Sequence, residues 1–131
     1  VISVHALCTM KECSEAIAKL VLSKPKHVVL NSLFYEGPLD VLIHIRDLES
    51  TIPDDCPDAD FNIHSIPKVQ KVFADLGYPN VSFEKFNIGI DLKAPDKGRR
   101  GTYTIRTEFE ERAQFSGPVY LPWYFVLASR S

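Results

Sequence analysis

The sequence predicts a layered α/β domain, and three observations carry that expectation. The last stretch, Leu121-Pro122-Trp123-Tyr124-Phe125-Val126-Leu127-Ala128, is almost wholly apolar and offers water no polar face, as expected of a central strand covered on both sides. The opening run Val1-Ile2-Ser3-Val4-His5-Ala6-Leu7 reads as a strand, and a helix and a second strand follow it within about 35 residues, the mark of a βαβ crossover with parallel strands. A second helical stripe precedes a further alternating run, so helices and strands are interspersed along the whole chain. The expected architecture is a sheet of about four main strands flanked by helices and carrying a small β-hairpin insertion.

Each element has a local reason. Thr9-Met10-Lys11-Glu12 has the form of a capping box, and Cys13, Ala16, Ile17, Leu20 and Val21 repeat at helical spacing until Pro25 forbids continuation, so a helix is expected over residues 10–23. Lys26 to Tyr35 is the next strand. Leu39 to Leu48 fits helical spacing and partial alternation, with helix the preferred reading. Glu49 to Asp60 holds Pro53, Pro57 and five acidic residues, the chemistry of a loop. Ser65 caps a second helix whose stripe is Ile66, Val69, Val72, Phe73 and Leu76, with Pro67 in its first turn and Gly77 as its left-handed stop. Val81 and Phe83 alternate in one phase and Phe86, Ile88, Ile90 and Leu92 in the other, which predicts a long strand bulged near Glu84-Lys85. After the basic loop Lys93 to Gly101, residues 102–107 and 112–116 form a hairpin, and Gly117-Pro118 turns the chain into the final strand. That strand should lie antiparallel to the 81–92 strand and next to the 26–35 strand.

Composition bounds the function. The chain has 131 residues, of which 45% are hydrophobic and 24% charged, enough for one domain with its own core. With net charge −2 and a pI near 6.1, nothing in the bulk electrostatics calls for nucleic acid or an anionic membrane. Cys8, Cys13 and Cys56 are odd in number and lack CxxC spacing, which points to a reducing, cytoplasmic setting. No run approaches the ~18 apolar residues of a membrane span. The chain opens directly on a strand without methionine, which reads as a truncation or as part of something longer.

The order of elements resembles the second half of a class I S-adenosylmethionine-dependent methyltransferase, a family with a Rossmann-like sheet. Val1 to Leu7 looks like that family's fourth strand and Leu121 to Ala128 like its antiparallel last one. The tail Gly101-Thr102-Tyr103-Thr104, Gln114-Phe115-Ser116-Gly117-Pro118 and Pro122-Trp123-Tyr124-Phe125 is similar to tails of its members. The family's glycine-rich cofactor turn is missing: Gly37, Gly77, Gly89, Gly98, Gly101 and Gly117 form no GxGxG. The resemblance therefore implies the C-terminal portion of a larger domain, with half of a cofactor site.

Candidate site residues follow from where α/β sheets place ligands, at the carboxyl ends of parallel strands. On the family reading His5, Leu7, Cys8 and Thr9 line the pocket, with His5 as catalytic base and Leu7, Cys8 and Thr9 beside S-adenosylmethionine. The plainer alternative makes His5 a satisfied core histidine and Thr9 a helix cap. Ser32, Phe34, Tyr35 and Glu36 end the next strand and, with Tyr103 of the hairpin, are the candidates for the acceptor pocket; ordinary packing is their alternative. His5, His27, His44 and His64 are scattered without metal-ligand spacing, so no metal site is expected. Cys8 sits where a helix could lower a thiol pKa, but no partner for it can be assigned. Lys93, Lys97, Arg99 and Arg100 could meet a phosphate, although such a run is usually solvated. A second functional class stays open: a non-catalytic binding or assembly module that pairs through the exposed opening strand, either with itself or with a missing N-terminal half.

Overall fold

A computed structural model describes residues 1–48 and 58–131 as a mixed α/β structure. The chain runs through β1 (Ile2–Val4), a 3-10 turn (Leu7–Thr9), α1 (Cys13–Leu20), β2 (His27–Tyr35), β3 (His44–Arg46), β4 (Asp58–Asp60), β5 (His64–Ser65), α2 (Ile66–Asp75), β6 (Asn80–Lys85), β7 (Thr102–Ile105), β8 (Ala113–Ser116), β9 (Val119–Tyr120) and β10 (Trp123–Ser129). The main sheet has the order β1-β2-β10-β6, with β5 joined to the far end of β2. β1 and β5 run parallel to β2, and β10 is antiparallel to both β2 and β6, as expected of the final strand. Two smaller sheets, β3-β4 and β7-β8-β9, stand apart from it. Among the described residues no helix is long and apolar enough to cross a membrane.

Both helices pack on one face of this sheet. Ile17 and Val21 from the first, and Val69 and Phe73 from the second, meet Val28, Leu30, Phe34, Val126 and Ala128 in the principal core. Ser65 caps α2 by accepting from the Lys68 amide, and Gly77 takes the left-handed conformation (φ 88°) that ends it. Tyr78 then donates its hydroxyl to the Pro25 carbonyl at 2.6 Å, tying the end of α2 to the loop before β2.

The structure corrects several expectations. β10 is not covered on both sides: Tyr124, Val126 and Ala128 are buried under the helices, whereas Phe125 and Leu127, pointing the other way, are 42% and 47% exposed. An unbroken apolar run reveals burial on one face and says nothing about the other. Residues 39–48 are extended and not helical: Val41 bridges Ile63, and His44 and Arg46 stand opposite Asp60 and Asp58, so cross-strand charge pairs stabilise a ribbon. Its second strand ends the acidic segment expected to be loop, the rest of which, 49–57, lies outside the described residues. Thr9 does not open α1; its hydroxyl donates to the Ala6 carbonyl, and Glu12 caps α1 by accepting from the Ser14 amide at 3.0 Å. The strand expected over 81–92 stops at Lys85: the Trp123 carbonyl still accepts from the Phe86 amide, but the Trp123 amide turns back to the Leu121 carbonyl and so cannot extend the ladder. The 102–116 hairpin is present and gains a third strand, β9.

Candidate functional site

The chain leaves β1 through His5, which holds a left-handed backbone (φ 57°) that only a few per cent of residues other than glycine adopt. The His5 amide is anchored on the Asn31 carbonyl of β2 at 2.9 Å, and Asn31 itself donates to the Tyr124 carbonyl of β10 at 3.1 Å. The sharp bend turns the exposed imidazole back over the sheet end, where it stacks on the indole of Trp123 with ring centres 4.4 Å apart. Trp123 is itself packed with Cys8, Leu33 and Leu121 in a second core cluster on the face away from the helices.

The turn after His5 is clamped from behind. The Asn62 amide donates to the Cys8 carbonyl at 2.7 Å, and His64 Nε2 donates to the Leu7 carbonyl at 3.0 Å, which fixes the tautomer of that buried ring. Asn62 in turn accepts from the Ile43 amide through Oδ1, so the 41–46 and 58–63 ribbon is joined to the same turn.

In front of the turn opens a cavity of about 1110 Å³. His5, Trp123, Phe61 and Leu121 give it an aromatic and apolar wall; Asp47, Arg99 and Arg100 lie on its rim together with the ribbon residues His44, Asp58 and Asp60. The rim charges are matched: Arg99 meets Asp47 at 2.8 Å, and the two nitrogens of His44 reach Asp60 and Asp58 at 2.9 and 3.3 Å. Those carboxylates raise the His44 pKa above its ordinary value, Asp60 most strongly. Gly101 is on the same rim because Pro95 crowds it: a Cβ there would lie 2.7 Å from the proline ring, at a φ of 146°.

Of the residues singled out from the sequence, the structure brings His5, Cys8 and Thr9 to this cavity. Cys8 and Thr9 turn their polar atoms inward, to the His5 and Ala6 carbonyls, and burial raises the Cys8 thiol pKa against the opposing pull of Ser32. Leu7 points into the core beneath the helices. Ser32 is wholly buried, and Phe34 is a core residue edge-on to Phe83 and Tyr124. Tyr35 and Glu36 are exposed outside the cavity, Glu36 accepting from the Tyr124 hydroxyl at 3.3 Å. Tyr103 stacks on Phe115 and donates to the Gly117 carbonyl at 2.6 Å. Sequence reasoning misses Trp123 as a cavity residue because its apolar run reads as a buried strand. It misses His44, Asp58 and Asp60 because their pairing depends on a ribbon whose periodicity reads as helix and loop.

No family model, curated protein or solved structure matches the chain.

Among the described residues the cavity lining holds no glycine-rich turn of the kind that seats a nucleotide-like cofactor. Gly101 is the cavity's only glycine among the described residues, and it answers to Pro95. The polar atoms of Cys8 and Thr9 are already engaged by backbone carbonyls.

Proposed function

We propose that this chain supplies the acceptor side of an S-adenosylmethionine-dependent methyl-transfer site in a Rossmann-like sheet, with His5 as the general base. The observation that carries this reading is the position of His5: strained, exposed, held face-on to Trp123, and facing a roomy cavity at the carboxyl end of a parallel strand. Methyl transfer from a sulfonium asks for alignment and, when the acceptor carries a proton, for somewhere to put it. An imidazole fixed against an indole has little rotational freedom, so an acceptor O–H or N–H seated between Phe61 and Leu121 would meet a ring nitrogen in one orientation. The sequence holds no glycine-rich turn for the methyl donor, so the chain alone is expected to be inactive. Two buried free thiols, Cys8 and Cys13, suit the reducing cytoplasm.

Calorimetric titration of the 131-residue chain with S-adenosylmethionine should show no tight binding; submicromolar affinity would overturn the half-site reading. In any assembly that does transfer methyl groups, His5→Asn should lower kcat and remove the pH dependence of an imidazole base, leaving KM for S-adenosylmethionine within about twofold. The alternative, a non-catalytic assembly module, is favoured by the bare strand β1, with Ile2 74% exposed. Full activity of the His5→Asn variant would remove His5 as the base, and an absence of methyl transfer in every assembly that contains the chain would support that alternative.

A further inference from the structure

We infer that a basic recess beside the His5 cavity is an oxyanion-binding subsite, and that the small molecule filling both carries a phosphate or carboxylate on an apolar body. The subsite rests on charge and shape; only the assignment of its ligand as the methyl acceptor rests on the proposed function.

The recess has a volume of about 420 Å³ and shares a wall with the cavity, made by Asp47, Arg99, Arg100 and Ser116. Among the described residues four cationic side chains line it, Arg46, Lys97, Arg99 and Arg100, against one carboxylate, Asp47. Three of the cations belong to the basic loop, whereas Lys93 of that loop is not part of the lining. Arg46 comes from β3, far away along the chain, so the cluster is made by folding and not by a run of like charges. Cations that converge from two segments repel one another, a cost that a bound anion cancels.

These cations are held in position. Asp47 meets Arg99 at 2.8 Å, and Asp58 meets Arg46 at 3.6 Å. Counted with both carboxylates, the described lining stays net positive. The loop is pinned where it enters β7, the Gly101 amide donating to the Ser116 hydroxyl oxygen at 3.2 Å. A guanidinium fixed by a carboxylate keeps its fork of donors in a set geometry, which suits the paired oxygens of a phosphate or carboxylate.

The floor of the recess is main chain. Gly98 and Gly117 both take the left-handed conformation, with φ 64° and 54°, and a Cβ on Gly117 would lie 4.0 Å from the Gly98 carbonyl oxygen. Side chains are therefore missing where the two loops meet, and a ligand can approach the backbone closely. Lys97, next to Gly98, also holds a left-handed φ of 59°, and such strain collects at ligand clamps.

Polarity sets the orientation of the ligand. Asp58, Asp60 and Asp96 line the cavity and not the recess, whereas Arg46 and Lys97 line the recess and not the cavity. An anionic group is thus repelled from the cavity and drawn past Arg99 and Arg100, while an apolar body stays against Phe61 and Leu121. The reacting O–H or N–H of the acceptor is then at the end remote from its anion. A nucleic-acid backbone is poorly served, because the cavity carboxylates oppose every phosphate beyond the first.

Four probes test this on the 131-residue chain by NMR titration: phenyl phosphate, benzoate, phenol and inorganic phosphate. Phenyl phosphate or benzoate should bind at least about tenfold more tightly than phenol or inorganic phosphate, since it occupies both compartments at once. Whichever of the two binds better tells a phosphate tail from a carboxylate tail. Inorganic phosphate should move the Gly98 and Gly117 amide resonances, and raising the salt from about 20 to about 200 mM should weaken it severalfold. Lys97→Gln and Arg46→Gln should each cost the anionic probes at least about threefold and leave phenol unchanged. Two results would overturn the subsite: phenol binding as tightly as the better anionic probe, or Gly98 and Gly117 amides that inorganic phosphate leaves unmoved. Neither result touches His5, and a failure of methyl transfer with those shifts present would strike the acceptor assignment and leave the subsite standing.

Discussion

The His5 imidazole and the Trp123 indole, from opposite ends of the chain, lie 4.4 Å apart between ring centres with planes inclined by 30°. The two residues should respond differently to mutation. Trp123→Ala empties a packed cluster with Cys8, Leu33 and Leu121 and should cost about 3 kcal/mol in urea denaturation. His5→Gly loses the stack but relieves a left-handed backbone, so its stability should stay within ~1 kcal/mol of the parent. A large loss in the glycine variant would show that His5 is held for stability and not for chemistry.

Val126 and Leu127 are neighbours with opposite surroundings. Val126 lies between Leu30 and Phe83 under the helices and is wholly buried, so Val126→Ala should cost about 2 kcal/mol. Leu127→Ser should change stability by no more than ~0.5 kcal/mol and should reduce binding of an apolar dye. Equal costs at the two positions would contradict the bare face.

Acid should weaken the start of α1. The Ser14 amide, then the Ser14 hydroxyl and Lys68, hold the Glu12 carboxyl down from its usual 4.5 to about 2. A lowered folded-state pKa gives stabilisation that is complete above 4.5 and fades as pH falls towards 2. Glu12 is largely solvent-exposed, so Glu12→Gln should cost less than about 1 kcal/mol at neutral pH. The difference between variant and parent should vanish by about pH 2 in parallel urea titrations, the folded-state pKa being near there.

His44 acts in the opposite direction. Its raised pKa means that its bonds to Asp60 and Asp58 are charge-assisted at low pH and weaken as pH rises through the raised value. NMR titration should place its midpoint above that of a free imidazole, and Asp60→Asn should bring it down. An unchanged midpoint in the variant would remove Asp60 as the cause.

Much of this fold was legible because its signals are local. The stripe of α2, its Ser65 cap and its Gly77 stop are contained in thirteen consecutive residues, and each acts on the backbone next to it. The apolarity of β10 points to an inner strand, which it is, and to cover on both faces, which Phe125 and Leu127 lack. The ribbon of β3 and β4 was hidden because His44 and Arg46 become strand residues only through Asp60 and Asp58, whose distance along the chain local periodicity does not register. The cavity was half legible. His5 follows from the rule that ligands gather at strand ends, whereas Trp123 reaches the site through stacking, which leaves no pattern in sequence.

The inner position of β10 also governs how the chain acquires its structure. The strand that joins β2 to β6 follows both of them in sequence, so the sheet has no interior until β10 is in place. Until then β2 and β6 expose unpaired backbone on the flanks that will receive it, and their pairing through β10 closes some of the longest loops in the molecule. Assembly is therefore a cooperative event in which the 7 residues of β10 decide the fate of the sheet, and their loss would leave β2 and β6 with nothing between them.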